Sequence, residues 1–226
     1  MERCPKCKST KFCKDGIVKG KQRFKCKDCS FRFRVEHIGK PEKLKRDALI
    51  LYLEGLGFRS IGRFLKVSHV TVFKWIKAYG KKLDEIRSNE AIEVVEIDEM
   101  HTYIGSKKNY CWIWIAVDRD GRKFINCEVG TRGTETGEKL WKKIEPKIKG
   151  KVCTDYWKAY EAFVPDDIHI QSKADTFTVE GYNSLLRHFL ARLRRKTKCY
   201  SKVVYMLVYS VKLLMFKWNN GLSILF

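Results

Sequence analysis

The spacing of apolar residues changes along the chain, and each change predicts a different kind of structure. Over residues 45–79 apolar side chains recur every three or four positions, which predicts three short helices with breaks at residues 55–57 and 66–67. Ser68 stands where its hydroxyl can cap the third of these helices. Two short helices joined by a brief turn are typical of a helix-turn-helix, which we predict for residues 42–82.

From residue 91 onward, short apolar runs are separated by turn residues. The runs predict strands at residues 93–99, 110–118, 122–129, 151–155 and 168–171, with helices at residues 135–149, 156–163 and 178–195. Asp120 and Gly121 provide a hairpin turn between the second and third strands. The order β-β-β-α-β-α-β-α is that of a ribonuclease H-like fold, whose first and fourth strands are neighbours. We therefore expect an α/β protein with a mixed-sheet domain over residues 91–226.

Residues 1–38 are too few for a hydrophobic core, but they contain two matched cysteine pairs. Cys4 and Cys7 form one Cys-x-x-Cys pair, and Cys26 and Cys29 form another after eighteen intervening residues. Two such pairs offer the tetrahedral thiolate set of structural Zn²⁺, so we predict a zinc ribbon whose metal supplies most of its folding free energy. A redox pair or a disulfide is the alternative, and neither explains the matched pairs. Four other cysteines in apolar contexts are expected to be buried: Cys111, Cys127, Cys153 and Cys199.

The formal charge of +21 is concentrated at the two ends of the chain. Residues 1–90 are strongly basic, residues 91–186 are close to neutral, and residues 187–226 contain no acidic residue. Two basic flanks suit a protein that grips a polyanion, so we expect double-stranded DNA as the partner rather than a merely solvated basic surface. The predicted DNA contacts are Ser68, His69, Thr71, Lys74 and Lys77 in a groove, and Arg192, Arg194, Arg195 and Lys196 on the backbone.

No membrane-spanning or targeting segment is predicted. Met1 is followed at once by charged residues, and residues 203–216 are too short to span a bilayer and contain Lys212. We expect a cytoplasmic protein that associates with the nucleoid.

Three acidic residues stand where an acid has little structural use. Asp98 and Asp155 close apolar runs at predicted strand ends, and Glu180 opens the last predicted helix. Such acids can converge on a divalent metal ion, and hard carboxylate oxygens suit Mg²⁺ or Mn²⁺. In a basic protein a site of this kind indicates phosphodiester chemistry. Asn183 and Arg187 share a helical stripe with Glu180, so both are expected to support the same site.

Each acid also has a structural alternative. Strand alternation puts Glu99 on the face opposite Asp98, and it cannot decide which face carries the site. Asp155 could cap the helix that follows it, and Glu180 could be a favourable charge at a helix N-terminus. One metal site nevertheless explains all three acids better than three unrelated roles do.

These features resemble the transposases of the insertion sequence 1 family, which are of the DDE type. The resemblance spans most of the chain, from the four-cysteine knuckle and the helix-turn-helix to residues 97–100, 112–114, 153–155, 180–187 and 195–202. His101 departs from the family, which more often has an aromatic residue at that position.

The resemblance implies that Asp98, Asp155 and Glu180 are a catalytic triad holding two Mg²⁺ ions, with Asp98 bridging both. It also implies that the protein binds the terminal inverted repeats of an insertion sequence, cuts them and joins them to target DNA. Two element ends imply at least a homodimer on DNA. A metal-dependent nuclease without strand transfer and an inactive DNA-binding regulator are the alternatives.

Overall fold

The computed structural model describes residues 3–34, 40–83 and 91–221. The chain divides into two compact units, Met1–Lys45 and Arg46–Phe226. Residues 35–38, the end of the predicted zinc ribbon, lie outside the described residues.

The smaller unit contains a three-stranded antiparallel sheet of β1 (Phe12–Val18), β2 (Lys21–Cys26) and β3 (Arg32–Arg34). Lys19 and Gly20 connect β1 to β2, both with positive φ, as a tight hairpin turn requires. The apolar centre consists of Phe12, Phe24 and Phe33, whose ring centroids lie 5.5–6.0 Å apart. Three rings bury little apolar surface, so this unit needs a further source of stability.

The larger unit is built on a mixed five-stranded sheet. Its strands are β4 (Ile92–Tyr103), β5 (Tyr110–Asp118), β6 (Lys123–Gly130), β7 (Ile148–Thr154) and β8 (His169–Gln171). Their order is β6-β5-β4-β7-β8; β4 pairs antiparallel with β5 and parallel with β7. The first and fourth strands of the sheet are therefore neighbours, as predicted, and the order is compatible with a ribonuclease H-like fold.

In the described part of the chain, six α-helices accompany the sheet: α1 (Glu42–Leu53), α2 (Phe58–Phe64), α3 (His69–Leu83), α4 (Thr134–Ile144), α5 (Phe177–Phe189) and α6 (Val204–Asn220). Short 3₁₀ turns occupy Glu145–Lys147, Lys158–Ala162 and Lys173–Thr176. Strand alternation divides the core in two. Val95 and Ile97 of β4 pack in the cluster beneath α4, whereas Met100 faces the cluster that contains α5 and α6.

The larger of these clusters also includes the apolar faces of α1–α3. Tyr52 of α1 and Ser210 of α6 share a buried hydrogen bond of 2.6 Å. At Gly80 of α3, a Cβ atom would approach the Tyr209 side chain of α6 to 2.5 Å, so only glycine permits this packing. From Arg46 onward, the segment predicted as a separate domain over residues 42–82 thus packs as part of the larger unit.

Several predicted elements end at other residues than expected. The helix predicted over residues 135–149 ends at Ile144, because the chain tightens into the 3₁₀ turn Glu145–Lys147 and residues 148–149 already belong to β7. The helix predicted over residues 156–163 is only a 3₁₀ turn. The helix predicted over residues 178–195 ends at Phe189, where extended backbone at Leu190 turns that side chain into the core.

One buried-cysteine prediction was wrong. Cys111, Cys127 and Cys153 are buried as expected, but Cys199 is exposed because it lies in the irregular segment after α5. Among residues 3–34, 40–83 and 91–221, no helix is both long enough and apolar enough to cross a membrane.

Candidate functional site

The four cysteines of the smaller unit converge on one point. Their Sγ atoms all lie within 4.8 Å of one another. Cys4 and Cys29 Sγ are 3.7 Å apart, and Cys7 and Cys26 Sγ are 3.5 Å apart. A tetrahedral ion with Zn–S bonds of about 2.3 Å needs sulfur–sulfur edges of about 3.8 Å, whereas a disulfide needs about 2.05 Å. The arrangement therefore fits zinc and does not fit a disulfide.

The larger unit has an open cleft of about 340 Å³ beside the middle of β4, the end of β7 and the start of α5. Asp98 thus lies within β4, which continues to Tyr103, and not at the strand end that the sequence predicts. The lining of the cleft comprises Asp98, Arg132, Asp155, Tyr156, Trp157, Lys173, Thr176 and Glu180. Asp98, Asp155 and Glu180, the three acids that the sequence singles out, all line this one opening.

Strand pairing explains how these acids reach the same place. Glu96 of β4 is in register with Cys153 of the parallel strand β7, so Asp98 and Asp155, each two residues further on, lie side by side just past the end of the β4–β7 pairing. Glu180 lies in the first turn of α5, a helix that packs against β4.

Asp98 has an unusual electrostatic environment. Burial raises the pKa of its carboxyl to about 6, and the charges of Glu99 and Asp155 act in the same direction. Asn183 opposes this effect by donating a hydrogen bond of 2.6 Å from Nδ2 to Asp98 Oδ2. The Oδ1 atom of Asn183 is buried and has no hydrogen-bond partner among the described residues. A charged, largely buried carboxylate and an unpaired amide oxygen beside it both suit a cation.

Glu99, the alternative to Asp98, is engaged on the other face of β4. Its Oε1 accepts a hydrogen bond of 2.8 Å from Arg132 Nε, and its Oε2 accepts one of 2.6 Å from the Tyr160 hydroxyl. Both oxygens are thereby used by the protein, and only 1% of the side chain is exposed. Asp98 is therefore the acid of this pair that faces the cleft.

Asp155 and Glu180 differ in how they are held. Asp155 Oδ1 accepts a hydrogen bond of 2.9 Å from the Trp157 backbone N–H, so one of its oxygens performs the turn-capping role that was the structural alternative. Glu180 is exposed at the start of α5. In the described part of the chain, only the four cysteines are gathered closely enough to form a cluster of three or more metal ligands. The three carboxylates share a cleft without forming such a cluster.

Arg187 lies one turn beyond Asn183 on α5. Burial lowers the pKa of its guanidinium, the charge of Arg195 adds to that effect, and Asp98 opposes it. Of the predicted supporting pair, Asn183 therefore contacts Asp98 directly, whereas Arg187 interacts with it through charge.

The predicted groove-binding residues surround the start of α3. A cavity of about 440 Å³ lies at the α2–α3 turn, and three cations line it: Arg59, Arg63 and Lys66. Its other lining residues are Gly62, Val67, Ser68 and His69. Ser68 Oγ accepts a hydrogen bond of 3.1 Å from the Thr71 backbone N–H, as a cap should. Lys74 is exposed, and Lys77 Nζ lies 4.8 Å from the ring centroid of Tyr205.

Arg192 does not occupy the surface position that its predicted role requires. It is only 7% exposed, donates a hydrogen bond of 2.6 Å to Ser201 Oγ, and packs over the rings of Tyr52 and Phe58. A guanidinium buried in this way cannot reach a DNA backbone unless the core opens, so we remove it from the DNA-binding set. The three basic residues that follow are exposed: Arg194, Arg195 and Lys196.

Comparison with known proteins places the chain in a family. A family model described as IS1 transposase matches residues 91–212, more than half of the chain. The chain belongs to this family. The match covers the mixed sheet, the cleft, α4, α5 and the first half of α6.

Individual relatives agree with this assignment. The transposase is 33% identical to insertion element iso-IS1n protein InsB of Shigella dysenteriae over 111 residues, which cover 49% of this chain and 85% of the relative. It is 34% identical to insertion element IS1 4 protein InsB of Escherichia coli strain K12 over 116 residues, which cover 51% of this chain and 70% of the relative.

A solved structure is also similar, but distantly. It is described as a simian T-cell lymphotropic virus intasome in complex with PP2A regulatory subunit B56 gamma, with a TM-score of 0.38 and 9% identity over 78% of this chain and 68% of that chain. At this distance the similarity carries no argument about the transposase.

Sequence reasoning missed part of the cleft of this transposase. Arg132 comes from the β6–α4 loop, where no motif marks it, and Lys173 is one of many lysines. Tyr156 and Trp157 offered a signal, since two large aromatic residues directly follow Asp155, but the local pattern predicts a helix at their positions.

Proposed function

We propose that this transposase binds the terminal inverted repeats of an insertion sequence and catalyses metal-dependent DNA strand cleavage and strand transfer in the cleft of Asp98, Asp155 and Glu180. One observation carries the proposal: acids from two neighbouring strands and a packed helix line the same cleft. Membership of the IS1 transposase family supports it independently.

The residues of the cleft fit a divalent ion by their chemistry. Asp98, Asp155 and Glu180 offer hard oxygen ligands, and the raised pKa of Asp98 indicates a carboxylate whose charge lacks compensation. We propose that these three residues hold Mg²⁺ or Mn²⁺. When bound, the metal would activate the attacking oxygen and stabilise the leaving oxygen of a phosphodiester displacement.

The surrounding side chains would position and neutralise the DNA phosphate. Asn183 holds Asp98 through a hydrogen bond of 2.6 Å and thereby fixes the direction of its carboxylate. Arg132 and Lys173 line the same cleft and offer positive charge to a phosphate entering it. Arg187 adds a partly buried cation next to Asp98, where water screens its charge less than at the surface.

We propose three functional parts: a zinc ribbon over residues 1–38, a helix-turn-helix over residues 42–82 and a ribonuclease H-like catalytic part over residues 91–226. The cation-rich cavity at the α2–α3 turn supports duplex binding by the second part. Because an element has two ends, a homodimer or a higher oligomer on DNA is the arrangement that symmetry favours.

The test uses the full-length protein and the DNA ends that flank its reading frame. Pre-cut ends, a target plasmid and Mg²⁺ should yield joined product. Asp98→Asn should abolish both cutting and joining, whereas Asp167→Asn, which removes an exposed acid that does not line the cleft, should leave both intact. Cutting without joining would identify a nuclease. DNA binding without either reaction would identify a regulator and refute the proposal.

A further inference from the structure

A row of aromatic rings leads away from the cleft along the β4–β5 hairpin. We call it the aromatic row, and it consists of Trp157, Trp112, His101, Tyr110, Tyr103 and Tyr200. The guanidinium of Arg132 joins its first two members, lying 4.2 Å from the Trp157 ring centroid and 4.7 Å from that of Trp112. Beyond Trp112, neighbouring ring centroids are 5.3–6.2 Å apart.

The tip of the β4–β5 hairpin extends past its neighbouring strands. β4 pairs with β7 only over Ile92–Glu96 and β5 pairs with β6 only from Trp112 onward, whereas β4 and β5 stay paired as far as Tyr103 and Tyr110. Alternation puts His101 and Tyr103 on the same face as Ile97, past the core cluster beneath α4. His101 is exposed and Tyr110 is 68% exposed, so both rings are open to solvent.

The far end of the row is held by residues 200–202, the last three residues of the basic motif at 195–202. Gly105 donates a backbone hydrogen bond of 2.8 Å to the Ser201 carbonyl, and Lys202 Nζ donates one of 3.2 Å to the Gly105 carbonyl. These contacts attach the segment to the tip of the hairpin. They place Tyr200 6.2 Å from Tyr103, centroid to centroid.

Positive charge accompanies the rings from end to end. Arg132 lies at the cleft end, and Lys202 Nζ lies 4.4 Å above the Tyr200 ring at the other. Lys107 and Lys108 are exposed in the turn of the hairpin. Two acids lie near the cleft end of the row: Glu99 is buried and already paired with Arg132, and Asp155 accepts a hydrogen bond from the Trp157 backbone N–H. Aromatic rings interleaved with cations are the features by which proteins bind single-stranded nucleic acid without sequence preference.

We propose that the aromatic row binds a few unpaired nucleotides of a DNA strand that leaves the cleft, by stacking bases on its rings and pairing phosphates with Arg132 and Lys202. This inference rests on the proposed function, since it makes the row a continuation of the path that the reacting strand follows. Charge favours DNA over a second copy of this chain, because a copy with a charge of +21 would bring cations to cations.

The test measures binding of full-length protein to a labelled oligothymidylate of about 10 nucleotides by fluorescence anisotropy. The protein carries Asp98→Asn and no divalent metal is added, so the oligonucleotide is not cut during the measurement. Adding His101→Leu or Tyr110→Leu should weaken binding about tenfold, the loss of roughly one stacked base. Binding of duplex DNA and the thermal midpoint should not change, because both side chains are exposed.

Two control variants separate base stacking from a general loss of exposed aromatic surface. Tyr110→Phe keeps the ring and should bind like its parent protein. Trp218→Leu removes another exposed ring, from α6, whose helix packs in the core cluster on the other side of the sheet, and should also leave binding unchanged. Photo-crosslinking of an oligonucleotide carrying 5-iododeoxyuridine should label residues of the row.

Three outcomes would overturn the inference. Unchanged single-strand binding by both leucine variants would show that the row does not bind DNA. A changed oligomeric state with unchanged DNA binding would make it an interface between copies. Equal loss of single-strand binding, duplex binding and thermal stability would make it a structural cluster. In each case the proposed function is judged separately, by whether Asp98→Asn abolishes cutting and joining.

Discussion

The Glu96 carboxylate accepts a hydrogen bond of 2.8 Å from the backbone N–H of Val179. This contact ties β4, two residues before Asp98, to the first turn of α5, one residue before Glu180. The other oxygen of Glu96 is paired with Arg119 Nε at 2.6 Å, and Glu96 is fully buried. One acid outside the cleft thus sets the position of two acids inside it.

Glu96→Gln should therefore reduce stability and activity together. It leaves Arg119 without its buried partner and weakens the hold on α5, and breaking a buried ion pair costs about 3–5 kcal/mol. Urea denaturation should show this loss of unfolding free energy. Glu135→Gln is a matched control: its pair with Lys139 is exposed and screened by water, so its loss should change the unfolding free energy far less. Equal effects of the two substitutions would contradict the role assigned to Glu96.

Asp98→Asn should stabilise the metal-free protein. The folded-state pKa of about 6 lies above the ordinary value of 3.8, so the folded protein binds more protons between these values. Wild-type stability should therefore fall as pH rises from about 4 to about 6, by on the order of 1–2 kcal/mol once solvent screening is allowed for.

The asparagine variant lacks this pH-dependent loss. Denaturant unfolding without divalent metal should show that it gains stability relative to wild type at pH 8, but not at pH 4. Added Mg²⁺ should stabilise the wild type and leave Asp98→Asn unchanged. A variant that is less stable than wild type at pH 8 would mean that the buried charge is compensated within the protein.

Removing zinc should unfold the smaller unit and spare the larger one. The core of the smaller unit is three phenylalanine rings, so bound metal must supply most of its stability. Cys26→Ser should lower the zinc content from one ion per chain and abolish hydrogen-exchange protection of β1 and β2, while β4–β7 stay protected. Cys13→Ser, an exposed cysteine outside the cluster, should change neither property. Retained protection without zinc would refute this.

Lys74→Ala should weaken duplex binding mainly at low salt. Lys74 is exposed on α3, and loss of one phosphate contact reduces the slope of log K against log salt by about 0.9. Anisotropy titrations at several salt concentrations measure this slope. An unchanged slope would remove Lys74 from the DNA-binding set.

Arg192→Met should affect protein stability and not DNA binding, the reverse of what is expected for Lys74→Ala. Its guanidinium packs over two aromatic rings inside the core, so the substitution should change thermal stability and leave the salt slope unaltered. A reduced slope at unchanged stability would restore Arg192 as a DNA contact.

Much of this protein follows from local sequence. Two Cys-x-x-Cys pairs predict a four-sulfur site because each pair turns its thiolates toward one point, and the four Sγ atoms are gathered as expected. Apolar alternation locates the five strands, because one face of each strand must be buried. The predicted adjacency of β4 and β7 follows from the order of the elements and brings Asp98 near Asp155.

Other features depend on long-range packing, which a local sequence pattern does not reveal. Asp98 and Glu99 are equivalent by alternation, and only Arg132 and Tyr160, from distant segments, engage Glu99 and leave Asp98 to the cleft. The basic composition of its segment predicts that Arg192 is a surface cation, yet it packs over Tyr52 of α1 and Phe58 of α2. The sequence alone singled out the three acids that line the cleft. The tertiary structure decided which way each one points, because that depends on neighbours brought in from far along the chain.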